Sequence, residues 1–160
     1  MTTDERRPAG STLYFEDLSV DDEFRFGPHT ATREEIVSFA RQYDPQPFHL
    51  DDVEDEYSVF DGLVASGWHT VALCTRMQVE DVFDDIAAMG GRGVNDLRWP
   101  VPVRPDDILT GTVTIADRRR SGHDDRGDVD FRVELVNDDG DTVLSIYNLG
   151  IVRRRPTPNA

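Results

Sequence analysis

Ser66-Gly-Trp-His-Thr-Val-Ala-Leu-Cys-Thr-Arg-Met-Gln-Val-Glu80 carries the reading of the fold. It has the length of a helix and opens on a serine followed by a glycine. Val71, Ala72, Leu73, Cys74 and Met77 spread around its circumference, which predicts burial on most sides rather than one. A helix so enclosed needs a layer to wrap it, and the downstream chain supplies one. After Gly90-Gly91 the apolar period changes to two. Leu97, Trp99, Val101 and Val103 alternate, with Pro100 and Pro102 confining part of that run to an edge or bulge. Leu109, Val113 and Ile115 alternate with threonines; Val129, Phe131, Val133 and Leu135 alternate with Asp130, Arg132 and Glu134. Asp139-Gly140 is a hairpin signal. Thr142–Val152 reads as a last strand, apolar on both faces and so covered on both.

Upstream, Phe24–Phe26 is a short strand candidate. Thr32-Arg-Glu-Glu35 has the form of a capping box, in which hydroxyl and carboxylate satisfy the free amides of a helix start. Ile36, Val37, Phe39, Ala40 and Tyr43 give that helix its apolar stripe, and Pro45 stops it. The order of elements predicts an α+β domain with one helix against a curled antiparallel sheet. Residues 13–155 form that single domain, between a leader over 1–12 and a tail over 156–160. Sheet edges need covering, and pairing between two copies is one solution, so a homodimer or higher homo-oligomer is expected.

The chain has 160 residues, enough for one core that buries roughly 70% of the surface of the unfolded chain. Its 17 basic residues are all arginine; against them stand 23 aspartates and 9 glutamates, a formal charge of −15. Such a balance excludes nucleic acid as the main partner, because phosphate binding needs a broad basic face. It excludes an anionic membrane surface equally. A charged fraction of 31% leans toward disorder, but the 38% of hydrophobic residues arrive in periodic runs, so the acids coat a folded core. An aspartate-rich coat without lysine fits a salt-loaded cytoplasm, where screening mutes self-repulsion. The single cysteine, Cys74, rules out an internal disulfide framework and a multi-cysteine zinc site, and no metal site is apparent. No apolar run approaches a membrane span, and Met1–Gly10 lacks the apolar stretch of a signal peptide. A soluble, cytoplasmic protein is expected.

The chemistry-bearing stretch is Tyr43-Asp-Pro-Gln-Pro-Phe-His49. Pro45 and Pro47 remove two backbone donors and fix two φ angles, which makes a stiff link. On it Asp44 and His49 stand five residues apart, a pair able to deliver and remove a proton on one face of a substrate. The same spacing also fits an aspartate closing the helix and a histidine at the surface. At the start of the buried helix, the Gly67 amide is a free donor aimed at negative charge. Glycine there also fits plain close packing against the sheet.

Together these two segments resemble the MaoC-like dehydratases, the (R)-specific enoyl-CoA hydratase family, whose signature is Asp-x-Asn-Pro-x-His followed by a glycine opening the central helix. Asp44, Pro47, His49 and Gly67 match; Gln46 stands in place of the asparagine, and Ser66 in place of the histidine that precedes the glycine. Tyr14–Leu18 and Leu97–Asp106 are similar to further family segments. The resemblance implies a hot-dog fold, a curled sheet wrapped on a central helix. It implies reversible addition of water to a trans-2-enoyl-CoA, giving an (R)-3-hydroxyacyl-CoA. Asp44 would be the base, His49 the acid, and the Gly67 amide the donor to the thioester oxygen. Gln46, Ser66 and Thr75 would contact substrate. No cofactor is implied, coenzyme A being part of the substrate. Arg118–Arg120 and Arg153–Arg155 are the densest positive groups for its phosphates, or else strand-end clusters pairing with nearby aspartates. A hot-dog thioesterase and a non-catalytic acyl-CoA-binding subunit are the alternatives.

Overall fold

The computed structural model describes residues 10–50 and 58–158; the leader before Gly10 and the last two residues of the tail lie outside the described residues. Five strands form one antiparallel sheet: β1 (Glu23–Thr30), β2 (Ala88–Arg98), β3 (Ile108–Arg120), β4 (Arg126–Val136) and β5 (Thr142–Arg153). Their spatial order is β1-β3-β4-β5-β2, so β1 and β2 are the edges. Two helices, α1 (Arg33–Tyr43) and α2 (Gly67–Asp81), complete the fold. The sheet curls around α2, the hot-dog arrangement. No helix among the described residues is long and apolar enough to cross a membrane.

Local chemistry explains the elements. Thr32 caps α1 through its hydroxyl, which accepts from the Glu35 amide, while the Glu35 carboxylate accepts from the Thr32 amide, both at 3.2 Å. A cap of this kind contributes about 1 kcal/mol. In β3, Leu109, Val113 and Ile115 point inward, and in β4 Val129, Phe131, Val133 and Leu135 do, each at most 2% exposed. Burying each of the aliphatic members is worth about 1.5–3 kcal/mol. The hairpin between β4 and β5 turns at Asp139-Gly140, where Gly140 takes φ 82°, and the Asn137 side chain accepts from the Asp139 and Asp141 amides. Leu144 and Ile146 fill one side of β5, and its other side is half-covered rather than open.

Two expectations need correction. β2 begins at Ala88 and ends at Arg98, so it contains the Gly90-Gly91 pair, and Trp99–Val103 is an irregular segment rather than strand. Pro100 and Pro102 have no N–H to give a ladder, which is why pairing ends there. The second correction concerns α2. Leu73, Cys74, Met77 and Gln78 are buried, but Trp68, Ala72, Thr75 and Val79 form an exposed ridge down the opposite side. Apolar residues all round the helix therefore do not mean that the single chain encloses it.

Candidate active site

Asp44 is the residue at which α1 ends; its amide still bonds Ala40 O at 2.9 Å. Pro45 then turns the chain, and Pro47–His49 forms one short helical turn with proline first, where a missing N–H costs nothing. This turn swings His49 back beneath Asp44. The His49 ring is nearly buried, with Nε2 3.3 Å from Asp44 Oδ2 and Nδ1 2.7 Å from Val64 O. A carbonyl only accepts, so Nδ1 carries the hydrogen. Nε2 is thereby left to hold or release one proton toward Asp44 with no change in ring orientation.

The carboxylate is gripped as firmly. Ser66, which is fully buried, donates its hydroxyl to Asp44 Oδ2 at 2.7 Å, and Gln46 Nε2 donates to Oδ1 at 2.8 Å. Burial alone would raise the Asp44 carboxyl, but these two donors and the charge of His49 outweigh it and hold it below the usual aspartate range. Stabilisation from the ionised form is thus present above the ordinary aspartate pKa and is lost as pH falls through the lowered one. Replacing Ser66 by alanine removes a donor and leaves burial less opposed. The acidic limb of the pH profile of kcat/KM is expected to move to higher pH in Ser66→Ala; an unmoved limb would show that Ser66 does not hold the carboxylate.

Gly67 is the first residue of α2, where amides have no acceptor within the helix. It lies under Trp99: a Cβ at Gly67 would meet the indole carbons at 2.5, 2.7 and 2.8 Å. The close packing of Gly67 is against the Trp99 indole in the irregular segment after β2, not against the sheet. Asp44, Gln46, His49 and Gly67 line one cleft of about 350 Å³, walled by Phe48, Phe60, Trp68, Trp99, Val103 and Val143.

Of the six residues expected at the site, Asp44, His49, Gly67, Gln46 and Ser66 come together. Gln46 and Ser66 grip the carboxylate. Thr75 stands apart, exposed on the α2 ridge with its hydroxyl donating to Val71 O at 2.9 Å. Trp99 was legible only as a strand residue, although the prolines after it mark an irregular wall. His29 bonds Glu35 at 2.8 Å, His69 stacks on Phe39 at 4.9 Å, and His123 is exposed in the β3–β4 connection. Four of the six clustered arginines are engaged within the chain. Arg118 reaches the carbonyls of Phe15 and Leu18, Arg119 pairs with Asp117 and Asp130, Arg154 with Glu16 and Arg155 with Asp17.

The sequence pattern that defines the MaoC like domain matches residues 17–137. The chain belongs to the MaoC-like family. Among solved structures, the MaoC-like dehydratase from Rhodospirillum rubrum is 37% identical and superposes with a TM-score of 0.82 over 91% of this chain and 99% of its own. The R-hydratase PhaJ1 from Pseudomonas aeruginosa shares the fold, with a TM-score of 0.70 at 19% identity over 93% and 92% of the two chains. YdeM of Bacillus subtilis (strain 168) is 30% identical over 109 residues, which is 67% of this chain and 76% of YdeM. The family match spans the Asp44–His49 turn, α2, the Trp99 segment and the rest of the cleft apart from Val143.

Proposed function

We propose that this MaoC-like chain is a hydro-lyase that adds water reversibly to a trans-2-enoyl-CoA, giving an (R)-3-hydroxyacyl-CoA. The observation that carries the reading is the Asp44–His49 pair at 3.3 Å, each partner fixed from behind by buried or half-buried hydrogen bonds. The carboxylate, kept ionised, takes one proton from the attacking water as its oxygen bonds Cβ. The imidazolium, held by Val64 O, gives the Nε2 proton to Cα. Between these events the thioester oxygen gains negative charge, and the Gly67 amide is the donor that meets it. The protonated carboxyl then returns its proton to Nε2, and the pair is reset. The reverse sequence dehydrates the 3-hydroxyacyl thioester.

The test follows the absorbance of a short trans-2-enoyl-CoA in molar salt, with free thiol measured in parallel. Loss of the enoyl absorbance without thiol release is the expected result. Thiol release would make the chain a thioesterase, and silence in both channels a binding subunit.

A homodimer is part of the proposal. Trp68, Ala72, Thr75 and Val79 lie exposed along α2, and β2 is an edge strand exposed over nearly its whole length. An uncovered helix ridge and an unpaired edge strand both suit a second copy of the same chain. Light scattering is expected to give twice the chain mass, falling to one chain mass in Val79→Glu; a monomeric wild type would refute the dimer.

A further inference from the structure

We propose that the cleft accepts a short, uncharged 2-enoyl group, and that the Trp99 indole is the wall that sets its length. The proposal rests on the hydration reading and adds to it the acyl half of the substrate. At about 350 Å³ the cleft lies at the small end of ligand pockets, which span roughly 300–1,000 Å³.

Its floor is closed in a way that side-chain motion does not open. Ala65, Val103 and Val143 belong to the buried core. Two backbone hydrogen bonds seam the sides, Ala65 N–H to Val103 O at 2.8 Å and Val64 N–H to Phe48 O at 3.0 Å. Deepening the cleft there would break both seams and expose the core. Trp99 is a different kind of wall. It is 41% exposed, stands on a stretch interrupted by proline, and is held by its ring alone, edge-on to Trp68 at 5.3 Å and across Gly67. A thioester whose oxygen docks on the Gly67 amide therefore starts its acyl chain beside the indole. Shortening this side chain lengthens the cleft without cutting any backbone bond.

The charge of the acyl group follows from the lining. Among the described residues no arginine lines the cleft, and the imidazolium of His49 is already paired with the Asp44 carboxylate at 3.3 Å. A second carboxylate, carried on the acyl chain, would be buried without a counterion of its own.

The experiment compares kcat/KM for four-, six-, eight- and ten-carbon trans-2-enoyl-CoAs and for glutaconyl-CoA, whose acyl chain ends in a carboxylate. Wild type is expected to favour the four- or six-carbon substrate over the ten-carbon one by at least about tenfold, and to reject glutaconyl-CoA. In Trp99→Leu the ratio of ten- to four-carbon activity should rise at least about tenfold, with a smaller rise in Trp99→Phe. The ratio is taken within each variant, so it does not depend on how much of that variant folds. A flat or long-chain wild-type profile, or turnover of glutaconyl-CoA, would overturn the assignment of substrate. An unchanged ratio in both variants would overturn the role of Trp99. If wild type hydrates none of the series, the hydration reading itself fails, and this inference with it.

Discussion

Asp44→Asn and His49→Gln are each expected to lower kcat for enoyl-CoA hydration by about 10²–10⁴-fold. Asparagine keeps the shape of the side chain and can still meet Ser66 or Gln46, but it cannot take a proton from water. Glutamine at position 49 can still reach toward Val64 O, but it has no proton to pass to Cα. The two groups work as one unit 3.3 Å apart, each needed in the same turnover, so the double variant should be scarcely slower than either single one. Thermal melting distinguishes lost chemistry from lost fold. Both variants should melt near wild type, since the hydrogen bonds around the pair are mostly kept. Full activity in both single variants would remove Asp44 and His49 from the mechanism.

The second large effect is expected at Gly67. A backbone amide cannot be deleted by substitution, but it can be turned away. In Gly67→Val the new side chain enters space taken by the Trp99 ring, whose atoms lie 2.5–2.8 Å from a Cβ. Either the indole or the first turn of α2 must move, and in both cases the donor loses its aim. Loss of one such donor costs about 10²–10³ in kcat. The displaced indole supplies an independent readout, a change in tryptophan fluorescence. A variant with altered fluorescence and wild-type kcat would show that the Gly67 amide does not meet the reacting oxygen.

How far the sequence discloses this site depends on whether each contact is local. Thr32 and Glu35 face one another across a single helical turn, so the capping box was readable and is present. Pro45 marks the end of α1, and Asp139-Gly140 marks its hairpin, for equally local reasons. Asp44 and His49 were legible as a pair because they share one short proline-bound link. Ser66 was legible as the residue in place of the family's histidine and was expected to contact substrate, but it is fully buried against Asp44. Its hydroxyl meets a carboxylate 22 positions earlier, and no local pattern encodes that meeting. The carbonyl of Val64 leaves no trace at all, because every residue has one. Trp99 joined a false strand: the alternation of Leu97, Trp99, Val101 and Val103 obeyed period two, while the intervening prolines denied it the hydrogen bonds. The α2 ridge failed for another reason. Apolar composition on all sides of a helix does not say which side the sheet covers, and here Trp68, Ala72, Thr75 and Val79 stay exposed.

The exposed ridge and edge have an electrostatic consequence. In a chain with 32 acids among 160 residues, none falls between Gly62 and Val79, and none between Ile86 and Asn95. The first stretch supplies the α2 ridge and the second most of β2. Two copies, each at −15, repel across most orientations of approach, yet along these two stretches they present almost no acidic charge. In molar salt the reach of the remaining repulsion shrinks to about 3 Å, so only close contact between coated faces stays forbidden. For the proposed homodimer the aspartates would then act as a sieve on self-association, leaving that face permitted and keeping the coated faces apart.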